Sequence, residues 1–329
     1  MNSEFDLIRR YFKRAAPDAV LGIGDDAALI NITPGCELAV STDTLVSGRH
    51  FFADTDPYRL GWKSLAVNLS DLAAMGATPH WALLALTLPE DLARNDVWLQ
   101  QFSAGFFALA GQHRVGLIGG DTTAGPLNIC VQILGEIPAG KALRRSGALS
   151  GDDIWISGTL GNAALALRHA LEEITLSSGE IDQCLPALLT PIPRVELGQR
   201  LIGLAHSAID ISDGLAADLG HILQDSTKSA VIHLEDIPCT TILKQRLPQP
   251  LALHCLLAGG DDYELCFTAP KEHKAEIAKL STELGIPLTR IGEIASGEGL
   301  IVKDVHGGTI TLEINGYDHF NSGNKRNKR

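Results

Sequence analysis

Short apolar runs of β-like composition alternate along this chain with longer segments of helical period. In the first half the runs are "AVLGIG", "CELAVSTDTLV", "HWALLALTLP", "VGLIGGD" and "NICVQILGEI", and residues 57–76 and 91–113 carry helical spacing between them. The stretch "PAGKALRRSGALSGDD" (138–153) is rich in Gly, Ser and small residues and reads as a domain boundary. Beyond it "DIWISG", "SAIDIS", "AVIHLED", "YELCFTA" and "TRIGEIA" read as strands, with 161–173, 194–206, 214–225 and 271–284 helical. Both halves therefore mix α and β. A length of 329 residues gives a prior of about two domains and enough chain to bury well over half of its unfolded surface.

Composition narrows the class. The chain is 45% hydrophobic and 20% charged, and no apolar run approaches the roughly 20 residues of a membrane span. The opening "MNSEFDLIRRYFKRAA" is interrupted by charges and predicts an amphipathic helix, with Phe5, Ile8 and Phe12 on one face and Ser3 as its cap, rather than a secretory leader. Six cysteines stand singly in apolar surroundings with no C-x-x-C pair, which argues against a disulfide framework or a zinc site and fits a reducing cytoplasm. A net charge of −12 argues against a nucleic-acid partner; the terminal "GNKRNKR" reads as a short polar tail.

The acids share a context. Asp25-Asp26 ("LGIGDDAALI"), Asp43 ("AVSTDTLV"), Asp121 ("LIGGDTTAGP"), Asp210 and Asp213 ("SAIDISDGLAADLG"), and Asp261-Asp262 ("LAGGDDYELCF") each follow an apolar run or small-residue turn, and Asp71 lies within "AVNLSDLAAMGA". One such Asp is ordinarily a cap or turn residue. Their recurrence is different, because strand ends gather at one edge of an α/β sheet, where ligands bind and where crowded carboxylates need cations. Carboxylates with Ser and Thr hydroxyls form an all-oxygen donor set, which selects Mg²⁺, Mn²⁺ or Ca²⁺ over Zn²⁺. No EF-hand loop is present, and Mg²⁺ is ordinarily completed by substrate phosphates, so the acids themselves point to phosphate chemistry. Gly-rich turns at Gly22-x-Gly24, Gly119-Gly120 and Gly259-Gly260 allow backbone N–H groups close to phosphate oxygens. A P-loop, a protein-kinase motif set and a full G-x-G-x-x-G are all missing from the sequence.

Laid end to end, "FDLIRRYF", "LGIGDDAAL", "STDTLVSGRHF", "KSLAVNLSDLAAMGATP", "LIGGDTTAGP", "RRSG", "SAIDISDGLAADLGHI", "GGDDYELCF" and "NGYDHF" resemble the thiamine-monophosphate kinase family of the aminoimidazole-ribonucleotide-synthetase-like ATP-binding superfamily. The resemblance implies ATP-dependent phosphorylation of thiamine monophosphate to thiamine diphosphate with several Mg²⁺ ions. It implies a cytoplasmic homodimer of two-domain α+β and α/β chains: a mixed N-terminal domain (1–140) that binds ATP and Mg²⁺ and whose sheet pairs across the dimer, and a C-terminal α/β domain (141–329) completing the substrate cleft. Residue by residue, Asp26, Ser41, Thr42, Asp43, Asp71, Asp121, Asp210 and Asp213 match the family's metal positions, and Asp25 is a further candidate. Gly120-Asp121, Arg145 and Ser212 match its nucleotide contacts; His50, Asp261 and Tyr317 match its substrate contacts. At "GGDDYE" the family usually carries Gly-Gly-Glu-Asp-Tyr-Glu, so Asp261 reaches one methylene less far, a gap that a bridging water could span. Other ATP-dependent synthetases of the superfamily, and a non-catalytic ATP·Mg sensor, are the alternative readings.

Overall fold

In the computed structural model, which describes residues 4–16, 18–247 and 249–310, the strands fall into two sheets. The strands are β1 (Cys36–Val46), β2 (Thr78–Leu88), β3 (Gly116–Ala124), β4 (Asn128–Pro138), β5 (Asp153–Ser157), β6 (Ser207–Asp210), β7 (Ser229–His233), β8 (Leu265–Ala269), β9 (Leu288–Ala295), β10 (Gly299–Lys303) and β11 (Thr309–Ile310). Contacts divide the described chain into two compact units: one holds the residues up to Leu72 with Ala77–Gly140, the other Ala73–Gly76 with the chain from Lys141 onward. Ser3, Tyr317 and the basic tail lie outside the described residues.

The first unit carries the sheet β1-β4-β2-β3, antiparallel except for β2 beside β3. Side chains alternate across it as the pleat dictates. Ile129, Val131 and Ile133 of β4 and Leu84, Leu86 and Leu88 of β2 are buried, while Cys130, Gln132, Leu83 and Ala85 between them are half-buried or exposed. The helix Pro57–Met75 buries Leu65, Leu69 and Leu72 completely, at the spacing of one helical face. Each of these leucines contributes about 1.5–3 kcal/mol by leaving water. Its neighbour, the helix Asp96–His113, crosses it at two glycines. A β-carbon on Gly61 would lie 2.0 Å from the Phe102 carbonyl oxygen, and one on Gly105 1.8 Å from that of Tyr58.

The second unit carries the sheet β11-β10-β7-β9-β5-β8-β6, antiparallel at every neighbouring pair except β10 beside β7. The helix Leu215–Ser226 turns Leu215, Leu219, Ile222 and Leu223 into its core, against Ile209, Leu256 and Cys266 of the same cluster.

Three sequence expectations change. "AVLGIG" forms no strand; Gly24, at φ 136°, turns the chain back so that Leu21 and Leu29 meet in an isolated antiparallel bridge. The helical stretch 91–113 breaks, with Glu90–Ala93 ending before Asn95, whose side chain caps the next helix by accepting the Trp98 N–H at 3.0 Å. The N-terminal helix buries Phe12 against Phe102 but leaves Phe5 69% exposed. After Glu4–Leu7 it continues over Ile8–Phe12 as a π-turn, whose i→i+5 period carries Phe5 off the face that Phe12 buries.

Candidate active site

The acid pair Asp25-Asp26 is exposed and borders a cavity of about 840 Å³ in the first unit. Gly120 and Asp121 of β3 line the same cavity, as do Gln132 of β4 and Lys13. Cross-strand register brings Asp121 level with Ala85 and, through β4, with Cys130, on the open face of the sheet. Gly120 is obligatory there. Its φ is 142°, and a β-carbon would lie 1.8 Å from the Leu84 carbonyl oxygen. A cation that no sequence motif marks stands close to the acid pair: Lys13 Nζ rests over Gly24, 2.9 Å from where a β-carbon on that glycine would sit.

Other expected ligands lie on the helix-covered face. The Ser41 hydroxyl donates to the Asp71 carboxylate. The Asp43 N–H donates to Asn68 Oδ1 at 3.1 Å, and the buried Asn68 amide donates in turn to the Ser64 carbonyl at 3.0 Å. Thr42, one residue along β1, points to the opposite face and donates to the Val131 carbonyl at 3.1 Å. Period-two alternation thus splits Ser41-Thr42-Asp43, and the first unit's acids occupy both faces of its sheet. In the turn after β1, His50 Nδ1 accepts the Val46 N–H at 2.9 Å, which leaves the proton of a neutral ring on Nε2.

In the second unit two loops are pressed together. Ile211 donates to the Glu264 carbonyl, Tyr263 to the Ile211 carbonyl and Asp261 to the Ser212 carbonyl, at 2.8, 2.8 and 2.9 Å. Ser212 and Asp213 therefore stand beside Asp261, which is 48 or more positions away in sequence. Asp261 and Tyr263 both hold positive φ, 69° and 51°, a strain found where surrounding structure overrides local preference. The Tyr263 hydroxyl donates to Asp261 Oδ1 at 3.1 Å.

These loops are held by three further acids: Asp262, which the sequence marks beside Asp261, and Glu264 and Asp218, which it does not single out. Asp262 accepts the Gly161 N–H with both oxygens, at 2.9 and 3.1 Å; burial pushes its carboxyl well up, against the pull of that N–H. Glu264 is paired with Arg194 by two hydrogen bonds, at 2.7 and 2.5 Å. Asp218 Oδ2 accepts the N–H of Ser212 and of Asp213, both at 3.0 Å. Burial, then the charges of Asp210 and Asp213, push the Asp218 carboxyl up to about 8. Asp210 itself is buried at the end of β6, and Arg145 is exposed on the loop before β5. Asp218 carried one readable signal: it is the third acid of "DISDGLAADLG", in the first turn of the helix that follows.

Among the described residues no three His, Cys, Asp or Glu side chains gather into one metal cluster. The donors present are nevertheless all oxygen, and an ion that keeps its waters and shares phosphate oxygens needs few carboxylates at a time. All six cysteines are free, and no described helix is long and apolar enough to cross a membrane.

The expected gathering of acids at strand ends holds only for Asp210, since Asp43 and Asp121 lie inside β1 and β3 and Asp71 lies in a helix. Two units of mixed α and β define a chain of the AIR synthase related class: residues 24–137 match the N-terminal domain of AIR synthase related proteins and residues 148–305 the C-terminal domain. The same two-unit fold occurs in the hydrogenase maturation protein HypE in complex with ATP, with a TM-score of 0.76 at 22% identity over 94% of this chain and 92% of that one. Within the class the relatives are specific. The thiamine-monophosphate kinase of Escherichia coli K12 is 46% identical, covering 96% of this chain and 98% of the relative, and that of Bacillus subtilis 34% identical, covering 96% and 99%. The crystal structure of thiamine-monophosphate kinase from Stenotrophomonas maltophilia superposes with a TM-score of 0.82 at 49% identity, over 87% of this chain and 91% of that one. AaThiL complexed with AMPPCP and TMP superposes with a TM-score of 0.77 at 31% identity, over 88% and 89%. The chain belongs to the thiamine-monophosphate kinase family.

Proposed function

We propose that this chain phosphorylates thiamine monophosphate to thiamine diphosphate with ATP, by direct in-line phosphoryl transfer. The observation that carries this reading is kinship over the whole length, 46% identity across 323 residues with a curated thiamine-monophosphate kinase. A structural neighbour at 31% identity was solved with AMPPCP and TMP bound, which fits the same pair of ligands.

The chemistry needs no catalytic base. The acceptor is a phosphate monoester whose second pKa is about 6, so near neutrality it is already mostly a dianionic nucleophile. The obstacle is the repulsion between two polyanions brought into line. Bound Mg²⁺ would supply the charge neutralisation that this alignment and the loose transition state require. Asp25, Asp26 and Asp121 around the cavity, Ser41, Thr42, Asp43 and Asp71 along β1 and its covering helix, and Asp210 and Asp213 in the second unit are the residues that would hold several such ions. The all-oxygen donor set fits them. Gly120 and Asp121, Arg145 and Ser212 receive ATP, with the Arg145 guanidinium suited to bidentate contact with phosphate. His50, Asp261 and Tyr317 position the thiamine moiety; an aromatic face at Tyr317 suits a cationic thiazolium. Residues 1–140 then serve ATP, Mg²⁺ and dimerisation, and 141–329 complete the substrate cleft, adding ATP and metal contacts of their own. β1, an edge strand whose Val40 is 59% exposed, supports pairing with a second copy in a homodimer. We place the enzyme in the cytoplasm.

Coupled measurement of ADP release from ATP and Mg²⁺, with and without thiamine monophosphate, tests the reading. ADP should form in step with thiamine diphosphate and stay at background without the acceptor. ATP binding by calorimetry without acceptor-dependent turnover would overturn it in favour of a sensor.

A further inference from the structure

One helix of the second unit ends on two polar side chains that the proposed chemistry leaves without a task. At the start of Leu215–Ser226, Asp218 is 3% exposed and accepts the N–H groups of Ser212 and Asp213, each at 3.0 Å. At its end, Ser226 Oγ accepts the N–H groups of Gly147 and Ala148, each at 3.1 Å, and donates to the Arg145 carbonyl at 3.4 Å. One hydroxyl thus uses its donor and both of its lone pairs on a single turn. The amides concerned belong to loops, not to sheet ladders, so these side chains supply partners that the backbone does not.

The two loops are those carrying Ser212-Asp213 and Arg145. We propose that the helix Leu215–Ser226 is a gauge that fixes the spacing of these two nucleotide-contacting segments, with Asp218 and Ser226 as its positioning residues. The inference rests on the reading that Ser212 and Arg145 meet ATP and that Asp213 holds a metal ion beside it. Asp218 and Ser226 stand eight residues apart on this helix, which at about 1.5 Å per residue sets a rigid spacing of about 12 Å between them. The chemistry at the two ends differs in a consistent way. Asp218 occupies the amides of Ser212 and Asp213, so that loop offers a ligand its hydroxyl and carboxylate oxygens, which is a surface for cation-bridged phosphate rather than an N–H nest. Ser226 organises the turn that presents the Arg145 guanidinium, which meets phosphate directly.

Steady-state kinetics on the full-length chain test this. Asp218→Ala strips the partner from two amides and should raise KM for ATP about tenfold or more while KM for thiamine monophosphate stays within about twofold. Asp218→Asn keeps an acceptor oxygen and should bring KM for ATP back to within about threefold of wild type. Ser226→Ala should raise KM for ATP about threefold, Ser226→Thr should restore it, and the double alanine variant should show the product of the two effects, because the ends act on separate segments. A general structural role would lower the melting temperature and leave KM for ATP unchanged, or raise both KM values together; either result overturns the proposal. If Asp218→Ala does not fold, Asp218→Asn and Ser226→Ala decide: a tenfold rise in the first, or none in the second, also overturns it. If the wild-type chain proves inactive on thiamine monophosphate, the function fails separately, and the same fold-changes are read in the Kd for ATP·Mg by calorimetry.

Discussion

The acids of the first unit and those of the second are held by opposite means. Around β1 and β3, Asp25, Asp26 and Asp121 are exposed, Asp71 accepts the Ser41 hydroxyl, and the Asp43 main-chain N–H donates to Asn68. In the second unit Asp218, Asp262 and Glu264 turn inward and are consumed by backbone N–H groups or by Arg194. An exposed carboxylate keeps its water and loses little when neutralised. A buried one depends on its partners, and each partner left behind is a buried charge or an orphaned amide. On the proposed function the difference divides the work: the exposed acids of the first unit act on ligands, and the inward acids of the second hold the loops proposed to carry ligand contacts.

The largest effect that follows is on turnover. Asp121→Asn and Asp43→Asn remove a negative charge from a proposed metal position without removing volume, and each should cut kcat/KM about a thousandfold, equivalent to about 4 kcal/mol of transition-state stabilisation. Circular dichroism and the urea midpoint should stay at wild-type values. Wild-type-like activity of either variant at saturating Mg²⁺ would remove the distinction between the units at its root.

The reverse experiment is Arg194→Ala. It leaves Glu264, whose side chain is 9% exposed, as an unpaired charge, and breaking a buried pair in this way costs about 3–5 kcal/mol. Urea denaturation should show that loss, together with weakened activity through the Asp261 loop. A loss below about 1 kcal/mol, typical of a surface pair, would place the second unit's acids in the same class as the first's.

The contrast also explains which features the sequence makes legible. β1 to β4 can be read because period-two alternation and β-branched composition are local properties. The same alternation, taken literally, separates Thr42 from Ser41 and Asp43. The helices Ser178–Leu189 and Pro250–Leu257 and the strand β10 carry no such signal. The first contains Pro186, and the other two are short enough that packing, not period, decides them. Acids at the proposed ligand positions stand out by their small-residue turns. The roles of Asp262 and Glu264 are illegible, because they are set by Gly161 and Arg194, some 100 and 70 positions away.

A smaller effect separates positioning from proton transfer in the first unit. His50→Asn offers an oxygen where Nδ1 accepted the Val46 N–H, so the turn should persist. KM for thiamine monophosphate should rise about threefold to tenfold, by the loss of roughly one hydrogen bond. The pH–rate profile should keep both limbs. A lost titrating limb would make His50 a base and return the site to acid–base catalysis.

The smallest effect tests whether accepting backbone N–H groups is enough to make an acid matter to the ligand loops. Glu180 does this on the surface of the second unit. In a capping box it accepts the Ser177 N–H at 2.8 Å, and it also takes hydrogen bonds from the Ser177 hydroxyl and from Arg246, at 2.9 and 2.6 Å. These contacts, the Ser177 N–H first, hold its carboxyl down to about 2 from an ordinary 4.5. Because the folded value lies below the unfolded one, the stabilisation is present above pH 4.5 and is lost as pH falls from there toward 2. The urea midpoint of wild type should therefore exceed that of Glu180→Gln by a constant small margin from pH 7 to pH 5, and the margin should shrink by pH 3.5, roughly midway through that window. Both KM values should be unaffected at every pH, unlike the KM for ATP of Asp218→Ala. A rise in KM for ATP in Glu180→Gln would mean that any capping acid in this unit tunes the nucleotide loops, and the assignment of that task to one helix would fail.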